Sequence, residues 1–295
     1  MKKLVVSMIV AAMYVAWASS AFAVKITHST AGVLINDGFE SNAAGANPAG
    51  WTVVEAGAAN VQVVEAGFGT PPAPVAYEGT KHLAAVNGSA GAYQSFIGGP
   101  YTTGTLTAQF AFYLPETAGQ DNIFPTFQDV SNGVGLSKAE HWFGFGDSVF
   151  INTFTNPDIT AGLGGVYYYP GGGGGAGENT EYNLTAGGSS YTFAMDAWHE
   201  ATVVYNITDR TVSALTITID GTTLDPIPVA STIDSGSVTG FQLFNNATTV
   251  GTGFVDAIEP VPEPSSAMIF VLGMIGFARF AIRGPRPGHR AIQSQ

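Results

Sequence analysis

The sequence predicts an all-β fold, a sandwich of two packed antiparallel sheets, flanked by two short segments that address the chain rather than fold with it. Three observations lead there. Apolar and polar residues alternate with period two in many short stretches. Turn-forming residues punctuate those stretches, with 38 Gly and 16 Pro in 295 residues. Long apolar runs beside clustered positive charge occur only at the two ends.

At the N-terminus, Lys2 and Lys3 precede an apolar run from Leu4 to Trp17, followed by Ser20-Ala21-Phe22-Ala23. A positive start, an apolar middle and small residues at Ala21 and Ala23 predict a signal-peptide helix over residues 1–23, cleaved after Ala23. The alternative is an uncleaved anchor, but the run is shorter than the roughly 20 residues of a spanning helix.

The body from residue 24 to 259 reads as one domain, with no linker or internal repeat to divide it. From Thr105 to Leu114, Leu106, Ala108, Phe110, Phe112 and Leu114 share one face, with Thr105, Thr107, Gln109 and Tyr113 opposite, as in a half-buried strand. Within Ser213 to Ile219, Leu215, Ile217 and Ile219 alternate with Thr216 and Thr218. Asp220-Gly221 then supplies a hairpin turn, and Thr222 to Pro226 starts the return. Further strands are expected at Trp51–Glu55, Val61–Glu65, His82–Val86, Ala92–Ile97, Ser148–Phe154, Ala201–Ile207, Gly240–Phe244 and Gly253–Glu259. No stretch of the body has a convincing amphipathic-helix pattern. So many short strands argue for two packed sheets. Gly171 to Gly175 are expected in a surface loop, because five glycines cannot hold regular structure cheaply. They lack the Lys-Ser/Thr of a phosphate-cradling loop.

Composition narrows the function. With 45% hydrophobic and 11% charged residues the chain can fill a core. It has no Cys, which excludes disulfides, haem attachment and thiolate zinc sites. Between Val24 and Pro262 only Lys25, Lys81, Lys138 and Arg210 stand against 21 acids. A body this acidic repels phosphate backbones, so nucleic acid is not an expected partner.

The C-terminus reads Pro262-Glu263-Pro264, an apolar run from Ala267 to Ile282 that Arg279 interrupts, and then Arg283, Arg286 and Arg290. Positive residues stay cytoplasmic, which leaves the body outside. This segment resembles the PEP-CTERM sorting signal of Gram-negative bacteria. The resemblance implies a sorting tail over residues 260–295 with a transmembrane helix, transient membrane insertion, and processing near Pro262-Glu263-Pro264 by an exosortase-type membrane protease. It also implies delivery to the cell surface or an extracellular polysaccharide matrix. A simple C-terminal anchor is the alternative, and both place the body outside the cytoplasm.

Within the body, the order of several landmarks resembles bacterial jelly-roll domains of the concanavalin/laminin-G-like and carbohydrate-binding-module type. These are Asn36-Asp37-Gly38-Phe39-Glu40 with Trp51; Glu78-Gly79-Thr80-Lys81-His82-Leu83; Trp198-His199-Glu200 leading to Ile219-Asp220-Gly221; and Gly253-Phe254-Val255-Asp256-Ala257-Ile258. The resemblance implies a jelly roll. It also implies a structural Ca²⁺ held by Glu40, Asp256 and backbone carbonyls near Gly38 and Lys81, a donor set of the oxygen type that Ca²⁺ takes.

Two functions compete. A retaining glycosidase needs two carboxylates about 5 Å apart. The laminarinase-type pattern E-x-D-x-x-E is absent, and the nearest pairings, Glu140 with Asp147 and Asp196 with Glu200, lack its spacing. His28, His82, His141, His199 and His289 form no zinc-ligand pair, and there is no Gly-x-Ser-x-Gly elbow. Binding needs less: sugar faces stack on exposed rings helped by amides and carboxylates. Trp142 and the run Tyr167, Tyr168 and Tyr169 are the candidate platform, since three adjacent Tyr in a strand cannot all point inward. The expectation is a non-enzymatic surface or matrix protein that binds polysaccharide. A glycan-cleaving hydrolase or lyase on a concanavalin-like scaffold is the alternative.

Overall fold

A computed structural model describes residues 24–54, 60–69, 71–86, 90–128, 142–154, 159–169, 182–209, 215–227, 237–245, 251–256 and 258. The expected signal peptide with Ala21 and Ala23, the glycine run 171–175, Glu140, His141 and the whole segment 259–295 lie outside these residues. Among the described residues no helix is long and apolar enough to cross a membrane.

Alternation becomes two large antiparallel sheets. The first contains β1 (Val24–His28), β2 (Gly32–Asp37), β4 (Val61–Glu65), β5 (Lys81–Val86), β7 (Thr105–Tyr113), β15 (Trp198–Asn206), β16 (Leu215–Ile219), β17 (Thr222–Thr223) and β19 (Thr252–Asp256). Its order is β17-β16-β15-β7-β19-β5-β4, with β1 also beside β7 and β2 beside β1. The second sheet contains β3 (Thr52–Val54), β6 (Ala90–Ser95), β8 (Asn122–Gln128), β9 (Trp142–Asp147), β10 (Leu163–Tyr169), β11 (Tyr182–Asn183), β14 (Thr192–Ala194) and β18 (Gly240–Asn245). Its order is β11-β10-β9-β8-β18-β6-β3, with β14 on β10. A small hairpin joins β12 (Thr185–Ala186) to β13 (Ser189–Ser190).

The expected inner face of residues 105–114 is the core. Leu106, Ala108, Phe110 and Phe112 are fully buried and meet Phe145, Phe241, Phe127 and Tyr205 from the rest of the sandwich. Phe112 stacks on Phe145 with centroids 4.1 Å apart, and Phe110 touches both Phe145 and Phe241. Each such ring contributes on the order of 2–3 kcal/mol by leaving water. The hairpin falls where the sequence places it. Asp220 and Gly221 both have positive φ, 48° and 78°, as a two-residue turn between right-twisted strands requires.

Two sequence expectations change. Ser148–Phe154, expected as a strand, is the helix α1. The side chain of Asp147 caps it, with the Phe150 amide donating to Asp147 Oδ1 at 2.6 Å. Phe150 and Ile151 then pack onto the outer face of the second sheet with Phe124, Tyr167 and Phe244. Period two cannot be told from a short helix over seven residues, and the cap decides. The second change is in the glycines. Many sit inside strands, because rings lie flat across them: a Cβ at Gly144 would stand 2.7 Å from the Phe124 ring, and one at Gly240 2.3 Å from Tyr93.

Candidate functional site: the solvent face of the first sheet

Residues that alternate away from the core on β15, β7 and their neighbours form the outer face of the first sheet. At one end are three half-buried rings. Trp198 pairs in register with Tyr113, and Tyr113 with Phe254. The Trp198 ring lies 5.5 Å from Tyr113 and 6.0 Å from Tyr77, both at tilted angles. Its indole N–H donates to the Val75 carbonyl at 2.8 Å, which ties residues 75–77 over the sheet.

Two exposed carboxylates border the rings. Tyr77 Oη donates to Glu200 Oε1 at 2.5 Å, and Tyr113 Oη donates to Asp196 Oδ1 at 3.2 Å. The hydrogen bond to Glu200, then burial, pushes Tyr77 up to about 12; burial, then the Asp196 charge, does the same for Tyr113. Both phenols therefore keep their protons at neutral pH. Under Trp198 lies His82, fully buried, edge-on to Trp198 and Phe254, with neither ring nitrogen hydrogen-bonded. Burial pulls it down to about 4, against the pull of Glu40, so it is neutral above that pH.

Beyond the rings the face is polar. One rung across the strands reads Thr223, Thr218, Thr202, Gln109, Lys25 and Asn36. The next reads Thr216, Val204, Thr107 and Thr27. These side chains are half-buried or exposed.

The landmarks read from the sequence are brought together in pairs. His199 Nδ1 lies 2.6 Å from Asp220 Oδ2, and the Glu200 amide donates to Asp220 Oδ1 at 2.9 Å, which fixes Glu200 on the face. Asp37 accepts the Trp51 indole N–H at 2.7 Å and the Phe39 amide at 2.9 Å.

Two of the tyrosines expected in a binding platform, Tyr167 and Tyr168, are enclosed. Tyr168 is 1% exposed within the inter-sheet core, and Tyr167 is 4% exposed beneath α1 against Phe124 and Phe150. Neighbouring tyrosines do point to opposite faces, but here both faces are covered. Tyr169 and Trp142 are register partners on β10 and β9, and their side chains lie outside the described residues. Sequence reasoning missed Tyr77, Tyr113 and Trp198 as a group. Its one available signal was Trp198 between Asp196 and Glu200.

Asp147 and Asp121 are built into the frame. Asp147 caps α1, and burial pushes it up to about 6 despite that hydrogen bond. Asp121, buried beside it, accepts the Thr252 amide at 2.7 Å and the Thr117 hydroxyl. Burial also raises Asp121.

Glu40 and Asp256 reach residues 78–81, and Lys81 reaches back to the loop after β2. Glu40 Oε1 accepts the amides of Thr80 at 2.8 Å and Lys81 at 2.9 Å, and Oε2 accepts the Thr80 hydroxyl at 2.9 Å. Asp256 Oδ2 accepts the Glu78 amide at 3.0 Å. Lys81 Nζ donates to the carbonyls of Glu40 and Asn42 at 3.0 and 2.8 Å. Among the described residues no group of three His, Asp or Glu side chains is placed to share a metal.

Comparison with known proteins adds the tail. The PEP-CTERM protein-sorting motif matches residues 260–284. The chain thus carries the mark of a protein exported and sorted to the cell surface by an exosortase-type system. No curated protein sequence matches this chain. Among solved structures it is similar to a carbohydrate esterase from the Shiga toxin-encoding bacteriophage phi24B, at 14% identity, 70% of this chain, 87% of that one and TM-score 0.42. It is similar to an endo-β-1,4-glucuronan lyase from the fungus Trichoderma reesei, at 16% identity, 72% and 92% coverage and TM-score 0.41. It is also similar to a family 11 carbohydrate-binding module from Clostridium thermocellum, at 11% identity, 80% and 94% coverage and TM-score 0.32.

Proposed function

We propose that this is a non-enzymatic surface or matrix protein that binds a neutral polysaccharide along the solvent face of its first sheet. The observation that carries the reading is the juxtaposition of Tyr77, Tyr113 and Trp198 with Glu200 and Asp196, continued by rungs of hydroxyl and amide side chains. A sugar ring has an apolar C–H face that stacks on an aromatic ring, and a rim of hydroxyls that bond to carboxylates and amides. Strand β15 alone has nine residues, roughly 30 Å of extended chain, which spans several sugar units. The charge of the body selects the ligand class: Lys25, Lys81, Lys138 and Arg210 against 21 acids repel a polyanion.

The state of three ring groups on this face supports reading it as a binding surface. General acid–base catalysis needs a group whose proton moves near the working pH. The two phenols hold theirs to about 12, and His82 is sealed beneath Trp198. In this reading the exosortase-type protease is a transient partner near Pro262-Glu263-Pro264, and the apolar run inserts in the membrane only during sorting.

The test is a glycan screen of the full chain in mild detergent, with Tyr77→Ala and Glu200→Gln beside the wild type. Expected is binding to neutral polymers, weakened at least about tenfold by either change, the equivalent of about 1.4 kcal/mol. Equal binding by all three would remove this face as the site. Binding to no glycan would end the reading, and release of reducing or unsaturated ends would assign cleavage instead.

A further inference from the structure

The loop after β2 and the turn before β5 meet at a corner where the sequence led to the expectation of Ca²⁺. We propose that the cation at this corner is the chain's own: the Lys81 ammonium bridges the loop carbonyls of Glu40 and Asn42 in place of a metal, and the corner is independent of metal. This stands apart from the glycan reading and rests on different residues.

Ca²⁺ requires six to eight oxygens turned toward it, carboxylates among them. Both oxygens of the Glu40 carboxylate and Oδ2 of Asp256 are already engaged here. Three donors, the Thr80 amide, the Lys81 amide and the Thr80 hydroxyl, point their protons at the Glu40 carboxylate. A divalent ion at that carboxylate would face those protons. The turn is closed onto it: a Cβ at Gly79, which has φ +65°, would stand 2.3 Å from Glu40 Oε1. Asp256 uses Oδ2 on the Glu78 amide, farther along the turn.

Two carbonyls of the loop, those of Glu40 and Asn42, accept from Lys81 Nζ. They are aimed in advance. Asn42 fastens its own loop, donating from Nδ2 to the Phe39 carbonyl at 3.1 Å and accepting the Ala49 amide on Oδ1 at 2.7 Å. An ammonium suits this corner, being a compact point charge with three donors and no need for a full oxygen shell. Burial alone would raise Glu40. The Thr80 and Lys81 amides, the Thr80 hydroxyl and the Lys81 charge instead hold it below the ordinary carboxylate range, so Glu40 stays a carboxylate at neutral pH. One residue thus serves twice, its amide donating to the carboxylate and its side chain bridging the loop.

Thermal melts of the full chain in mild detergent test this, with EDTA and with added Ca²⁺, for wild type, Lys81→Met and Lys81→Arg. Expected is a wild-type Tm that neither EDTA nor Ca²⁺ moves, a Lys81→Met Tm lower by roughly 5 °C or more, and a Lys81→Arg Tm between the two. A wild-type Tm that falls in EDTA and returns with Ca²⁺ would overturn the proposal without recourse to any variant. So would a Lys81→Met Tm equal to the wild type. If Lys81→Met does not fold, the wild-type EDTA response and the Arg variant still decide. Failure here leaves glycan binding untouched, since neither Lys81 nor Glu40 lies among the rings of the first-sheet face.

Discussion

Replacing Asp147 by Asn is expected to stabilise the protein at neutral and alkaline pH, although it removes a charge from a helix cap. Asp147 is 4% exposed, sits beside the fully buried Asp121, and donates nothing in its ionised form. Burial raises it from 3.8 to about 6. A rise of roughly two units corresponds to about 3 kcal/mol as an upper bound. Solvent screening and local relaxation reduce that to about 1–2 kcal/mol. The sign follows from linkage. A carboxyl raised in the folded state contributes stability that is fully present below its unfolded value near 3.8 and is lost as pH rises through about 6. Asn stays neutral throughout and caps a helix about as well as Asp, so the Phe150 amide keeps its acceptor. Urea titrations of both proteins at pH 8 and pH 4 measure the difference. Expected is a higher midpoint for Asp147→Asn at pH 8, a Tm higher by roughly 2–8 °C, and near equality at pH 4. A variant less stable at pH 8, or a difference independent of pH, would refute the reasoning.

Two further outcomes follow from buried groups. His82→Leu is expected to stabilise by about 1 kcal/mol or more at pH 7, because two buried ring nitrogens without hydrogen bonds are removed. The gain should grow in acid, since the wild type's share of stability from a neutral His82 is complete above pH 6.5 and lost as pH falls through about 4; urea midpoints from pH 7 to pH 4 that stay parallel would contradict this. Gly144→Ala is expected to cost about 1–3 kcal/mol, because the new methyl would stand 2.7 Å from the Phe124 ring; an unchanged denaturation midpoint would show that the ring gives way freely.

Much of the fold was legible because period two is a local property. The stretch 105–114 announced its buried face residue by residue, and Asp220-Gly221 announced its turn through the two residues that most readily take positive φ. Ser148–Phe154 was misread because seven residues are too few to separate period two from a helical face. The candidate site was less legible. Tyr167-Tyr168-Tyr169 carries the strongest aromatic signal in the chain, yet two of these rings are enclosed, one by the opposite sheet and one by α1. Tyr77 drew no notice, because its partner Glu200 is 123 residues away.

The sequence by itself determined one address and the alphabet of the fold: a sorting motif at 260–284, strands of alternating residues, and an acidic body without cysteine. Those features depend on neighbours along the chain, where composition and period suffice. Tertiary structure decided which face remained open to solvent, which carboxylate met a phenol, and that Lys81 reached the carbonyls of Glu40 and Asn42. Such outcomes depend on contacts between segments far apart in sequence, and on sheet pairing order, which no local pattern of side chains specifies.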